Sequence, residues 1–228
     1  MNKFILAAAA MTALSAPAVA ADLIIDDPVY YTDAGFDWSG FYAGLAAGYG
    51  SGTARSVGDV TGTTTDTPLN GGLVGVTLGG NVQYDSFVLG IEGDVLWSGM
   101  GGTTACTAVP AYDCNASVDW LGSLRGRAGV AMDNVLLFVT GGLAAAGGTG
   151  TITPTFPGTT STFSDTFVGW TAGAGVEVAV TDSMTVKAEY SYSNLGSRTA
   201  PLGTLGTIQT FTVSPAVHAV KVGLNFHF

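Results

Sequence analysis

Eight charged side chains carry most of the chemistry this sequence offers. Glu92 and Asp94 stand two apart, as do Arg125 and Arg127, and Lys187 and Glu189; Glu177 and Lys221 complete the set. Two-residue spacing puts both members of a pair on one face of a β-strand. Two carboxylates on one face can divide acid and base roles, so Glu92 and Asp94 form the one candidate catalytic pair. The set also holds four acids against four bases, and that balance favours structural ion pairs over catalysis. Nucleophilic chemistry has little else to use. The histidines are His218 and His227, both on the last stretch of chain, and no C-x-x-C, H-E-x-x-H, nucleophile elbow or phosphate-binding loop is present. Neither a cofactor nor a metal site is expected.

Strands must position these charges. The last stretch shows how: Val220, Val222, Leu224, Phe226 and Phe228 alternate with Ala219, Lys221, Gly223, Asn225 and His227. Period-two alternation marks a strand with one apolar and one polar face. The same pattern recurs over Trp38–Gly50, Gly71–Tyr84, Phe87–Ser98, Val118–Ala131, Val135–Ala146, Phe167–Val180 and Met184–Tyr192, which makes eight strands with His218–Phe228. Strand four puts Trp120, Leu124, Ala128 and Val130 opposite Asp119, Ser123, Arg125 and Arg127. In strand five Val135, Leu137, Val139 and Leu143 share a face, but Leu136 and Phe138 leave its orientation open.

The apolar faces decide the environment. The chain is 47% hydrophobic and only 11% charged, yet no stretch after the N-terminus offers the ~18 apolar residues of a spanning helix. None of the eight apolar faces carries Asp, Glu, Lys or Arg; His218 alone comes near, at one end. Aromatics sort to the strand ends: Tyr49, Trp97, Trp120, Trp170, Tyr190 and Tyr192 at one side, and Phe41, Tyr84, Phe87, Phe226 and Phe228 at the other. Roughly ten residues separate the sets, about 25 Å at ~40° tilt, the height of a barrel's lipid band. The competing reading, aromatics packing a soluble sandwich core, does not account for this sorting. The pattern predicts an all-β, eight-stranded antiparallel up-and-down transmembrane barrel with an aromatic girdle.

Connections alternate in length. Tight turns fall at Asp85-Ser86, Asp133-Asn134 and Thr181-Asp182-Ser183. Long Gly- and Thr-rich segments span Ser51–Asn70, Gly99–Ser117, Gly147–Thr166 and Ser193–Val217, which are expected to form four mobile external loops. Cys106 and Cys114 lie in the second of these. In an exported chain an even pair predicts a disulfide at the loop tip, with free thiols as the alternative. Residues 1–20 read as a secretory signal peptide: Lys3, an apolar core, then Ala18-Val19-Ala20. A membrane anchor fits less well, being too short. Residues 21–37, acidic and Pro-containing, read as a solvated periplasmic tail, and 38–228 as the barrel. The net charge of −10 argues against nucleic acid.

The stretch Phe36-Asp37-Trp38-Ser39-Gly40-Phe41-Tyr42-Ala43-Gly44, the acidic lead before it and the terminal Phe228 resemble the small porin-like outer-membrane proteins of alphaproteobacteria. The resemblance implies an OmpA/OmpX-like eight-stranded surface barrel, often immunogenic. It also implies that the C-terminal strand, with Phe226 and Phe228, is read by the barrel-assembly machinery, and that lipid and lipopolysaccharide surround the protein.

Within so narrow a barrel, side chains fill the interior. Glu92 and Asp94 on strand three are expected beside Arg125 and Arg127 on strand four, and Glu177 beside Lys187 across the third turn. The expectation is a lumen plugged by ion pairs, in a structural protein displaying its loops to a host or surface ligand. Alternatives are a narrow charged channel for small solutes, or loop-mediated binding of a ligand such as haem, for which no residues stand out.

Overall fold

The computed structural model describes residues 35–58, 62–107, 111–158, 160–202 and 209–228. The expected signal peptide and residues 21–34 of the expected tail lie outside the described residues. Nine antiparallel strands follow one another: β1 Gly40–Gly58, β2 Thr64–Tyr84, β3 Phe87–Ala105, β4 Tyr112–Met132, β5 Val135–Pro154, β6 Ser161–Ala179, β7 Met184–Asn194, β8 Arg198–Leu202 and β9 Gln209–His227. From β1 to β7 each pairs with the next, β7 and β8 each pair with β9, and β1 pairs with β9 from Tyr42↔His227 to Gly58↔Phe211, which closes the ring. There are eight staves, because β7 and β8 both lie along one edge of β9 and together make the seventh.

Two of the tight turns are held by residues in the left-handed region, Asp85 (φ 51°) and Asp133 (φ 52°), which Asp tolerates better than most residues. At the other end, the expected long loops are largely strand. The β1–β2 ladder runs unbroken from Ser51↔Asn70 to Val57↔Thr64, and β5–β6 continues to Ile152↔Ser161. Strands of 19 to 21 residues rise about 50 Å along the axis, twice the lipid band. The physical reason is a reversal of the alternation. Within the band the apolar side chains face out: Leu45, Val76, Ile91, Leu143 and Leu224 are all exposed on the wall. Beyond Tyr49 and Trp97 they face in, as Ala54, Leu69, Met100, Val118 and Val213, while Thr53, Arg55, Asp66 and Pro68 face out. Strand pairing therefore continues where lipid ends, with a soluble-type pattern.

Two bulges mark this changeover, at Trp97/Met100 in β3 and Val118/Trp120 in β4. The second corrects the inward placement of Asp119. As the extra residue it is turned out of the barrel, where Ser117 Oγ (3.2 Å) and Thr149 Oγ1 (3.1 Å) donate to it. Strand five resolves cleanly: Val135, Leu137, Val139 and Leu143 face out, and Leu136 and Phe138 are buried in the lumen.

Candidate functional site

The lumen is filled in three layers. At the tight-turn end, residues 35–39 fold under the ring. Trp38 N donates to Gln83 Oε1 (2.8 Å), and Phe36 N donates to Asn134 Oδ1 (3.3 Å). Trp38, wholly buried, packs with Val88, Leu136 and Phe138, and Phe36 lies against them. The rings of Phe36 and Tyr42 sit 5.2 Å from His227, edge-on and stacked respectively. Phe36, the last but one residue of the tail assigned to 21–37, thus belongs to the barrel's stopper.

Above it lies the charged layer. All eight expected side chains are buried there. Arg125 is the hub: Nη2 donates to Glu92 Oε1 (2.6 Å) and Asp94 Oδ2 (2.9 Å), and Nη1 donates to Glu189. Lys187 Nζ donates to Glu92 Oε2 (2.6 Å), and Lys221 Nζ donates to Asp94 Oδ2 (3.3 Å). Arg127 pairs with Glu177, and its Cζ sits over the Phe138 ring, 4.1 Å from the centroid. Each charge removed from water at this depth needs a partner, since an unpaired buried charge costs several kcal/mol.

The pairing departs from the expectation of nearest neighbours. Glu92 and Asp94 do meet Arg125, and Glu92 and Arg125 are direct Cα partners. Arg127, however, passes over β5 to Glu177 on β6. Lys187 leaves Glu177, its own Cα partner, and crosses to Glu92. β3 and β7 are opposite staves, with β4, β5 and β6 between them one way and β2, β1 and β9 the other. A salt bridge between them spans the full bore. The sequence reading also missed the neutral members. Tyr42 Oη donates to Glu92 Oε2 (2.8 Å) and accepts from Arg127 Nη1 (3.2 Å). Thr185 Oγ1 and Asn225 Nδ2 (2.7 Å) donate to Glu177. The available signal was parity: Asn225 and His227 share the face of Lys221, and Thr185 that of Lys187.

Above the charged layer the interior turns apolar, with Leu73, Leu96, Met100 and Leu121 buried in it. Outside, Tyr49, Trp97, Trp170 and Tyr190 stand exposed near the changeover, and Trp120 is half-buried against Gly147, its Cα partner; a Cβ there would lie 2.7 Å from the indole Cδ1. Phe226 and Phe228 face out at the opposite rim, and Phe228 N donates to Phe41 O (3.0 Å). Cys106 and Cys114 are joined as a disulfide. Cys114 lies within β4 opposite Thr104, so the bond closes the outer end of the β3–β4 hairpin.

A closed ring of eight staves with a lipid-facing apolar band agrees with the family comparison. The model of the outer membrane protein beta-barrel domain matches residues 6–228. The chain belongs to this family. Among family relatives, the 31 kDa outer-membrane immunogenic protein of Brucella melitensis is 34% identical over 250 residues, covering 100% of both chains. The 22 kDa outer membrane protein of Rhizobium leguminosarum bv. viciae is 34% identical over 191 residues, covering 84% of this chain and 78% of that one. The crystal structure of OprG from Pseudomonas aeruginosa shares the fold, with a TM-score of 0.51 at 12% identity, covering 86% of this chain and 99% of that chain. As a member of the outer membrane protein beta-barrel domain family, the protein resides in the outer membrane.

Proposed function

We propose that this protein is a structural and surface-display barrel without a conducting lumen or a catalytic activity. The salt bridge between Lys187 and Glu92 on opposite staves carries the reading, because no solute can pass without breaking it. The carboxylates that had the spacing for acid–base work are both bonded to Arg125, which supports a role in holding the wall together. The barrel braces the envelope among lipid and lipopolysaccharide and carries a tall extracellular wall whose hairpin ends meet a host or surface ligand. Phe226 and Phe228 present the closing strand to the assembly machinery. Planar-bilayer recording of the purified protein tests the lumen: the expectation is no steady conductance, and large stable single-channel steps overturn it.

A further inference from the structure

His218 breaks the rule of the lipid-facing surface. An ionisable ring stands exposed on the outward face of β9, at the level where the alternation reverses. It is the end of a polar ledge. His218, Ser51 and Asn70 are successive Cα partners across β9, β1 and β2, and all three are exposed. The ledge is two strand spacings wide, about 10 Å. It is braced from the lipid side. Tyr190 and Tyr49 sit one outward position deeper, on either side of Val220, the Cα partner of each. Tyr190 Oη lies 2.7 Å from His218 Nδ1 in a hydrogen bond, and Tyr49 Oη donates to Asn70 Oδ1 (3.1 Å). An ordinary girdle ring holds its polar tip in the headgroup water; here both hydroxyls are engaged by the ledge. One flank is aromatic. The ring of Tyr192, Cα partner of His218, is 4.9 Å from the imidazole, and the exposed indole of Trp170 follows 5.5 Å from Tyr192.

We propose that this ledge binds the sugar headgroup of lipopolysaccharide in the outer leaflet, an inference that rests on the tall wall being extracellular. The chemistry of the ledge selects the class. A sugar ring presents C–H groups on its faces and hydroxyls round its edge. The electron-rich faces of Tyr192 and Trp170 suit the C–H groups. The tyrosine bonds engage Nδ1 of His218 and Oδ1 of Asn70, so Nε2 of the one and the amide nitrogen of the other remain for sugar hydroxyls, with the Ser51 hydroxyl between them. A phosphate would call for a cation instead. The outward cation of β1, Arg55, lies two outward positions further along and is paired with Asp66 (2.9 Å). The acyl chains of the same molecule fall along Val220, Val222 and Leu45, which are exposed below the ledge. One lipid molecule is thus gripped at both its parts, the sugar by the ledge and the chains by the apolar wall.

The test exploits the histidine count. His218 and His227 are the only two, so the whole protein with isotope-labelled imidazoles in lipid nanodiscs gives one magnetic-resonance signal from the ledge and one from the lumen as internal control. His218→Gln assigns them. Purified lipopolysaccharide added to phosphatidylethanolamine discs should shift the His218 signal saturably and leave that of His227 in place. Asn70→Leu and Tyr192→Leu should each weaken this binding by about fivefold while heat-modifiable migration is kept; if either misfolds, Ser51→Ala takes its place. The absence of a saturable shift overturns the proposal. So does an equal shift with phosphatidylglycerol, which offers phosphate without a sugar ring, or binding that none of these substitutions weakens. Sidedness is read separately on intact cells: an impermeant maleimide should label Thr53→Cys in a Cys106→Ser/Cys114→Ser background. A site that stays unlabelled overturns the extracellular wall and the ledge with it; labelling together with an unmoved His218 signal overturns the ledge alone.

Discussion

Glu177 and Lys187 are direct Cα partners on β6 and β7, carry opposite charges, point into the same lumen and do not bond to each other. Glu177 takes Arg127, Thr185 and Asn225; Lys187 takes Glu92. Proximity of backbones does not decide pairing in a filled bore. Arg127 sits over the Phe138 ring and bonds Glu177 and Tyr42, while Lys187 bonds Glu92.

Double-mutant cycles should reproduce this wiring. Arg127→Met and Glu177→Gln, measured by thermal unfolding on heat-modifiable gels, should each destabilise by about 3–5 kcal/mol and be strongly non-additive, because either change strands the same partner. Lys187→Met with Glu177→Gln should couple more weakly than Arg127→Met with Glu177→Gln, because the link between them runs through Glu92, Tyr42 and Arg127. Strong coupling between Glu177 and Lys187 would refute the assignment.

Gly79 should not accept even a methyl group. A Cβ there would come within 2.9 Å of Tyr42 Cε1, and that ring is held by Glu92 on one side and stacked on His227 on the other. Gly79→Ala is expected to cost about 1–3 kcal/mol by overpacking. Gly72, on the outer face with open space around it, is the control: Gly72→Ala should be close to neutral by the same gel assay.

Opening the disulfide should act locally. Cys106 and Cys114 are eight apart and close only the outer end of the β3–β4 hairpin. Reduction, or Cys106→Ser with Cys114→Ser, should expose that end to protease while the unfolding temperature of the barrel stays within a few degrees. A collapse of the whole barrel on reduction would contradict this.

Phe228 should matter to assembly more than to stability. Its ring is 72% exposed on the lipid rim and packs against no core residue, while its backbone N bonds Phe41 O. Phe228→Ala should lower the yield of folded protein in outer membranes several-fold. The same variant refolded in detergent should unfold within about 1 kcal/mol of the parent.

Much of this fold was legible because lipid imposes a strict rule on every second residue. Val220, Val222 and Leu224 on one side and Lys221 on the other could be read without coordinates, as could the charge-free faces and the turns at Asp85 and Asp133. What was not legible follows from the same rule. Above the band, Ala54, Leu69, Val213 and Val217 alternate with Thr53, Pro68 and Ser214 in the opposite sense, and a search for outward apolar residues passes over them. The bulge at Asp119 shifts parity by one, which no pattern of types announces. The partners of Arg127 and Lys187 depend on reach across the bore, a property of eight staves together. The partial burial of Phe36 depends on the segment before β1 folding under the ring, where composition alone suggested a solvated lead.

The inverted alternation above the lipid band has a consequence for recognition from outside. A molecule that approached this wall would meet a palisade in which every second residue looks outward. Thr53, Arg55, Asp66 and Pro68 can change with little effect on folding, while Ala54 and Leu69 between them cannot. Escape from a binder should therefore be written at alternate positions, and peptides cut from these segments should reproduce the binding surface poorly, since only the assembled wall separates the visible residues from the hidden ones.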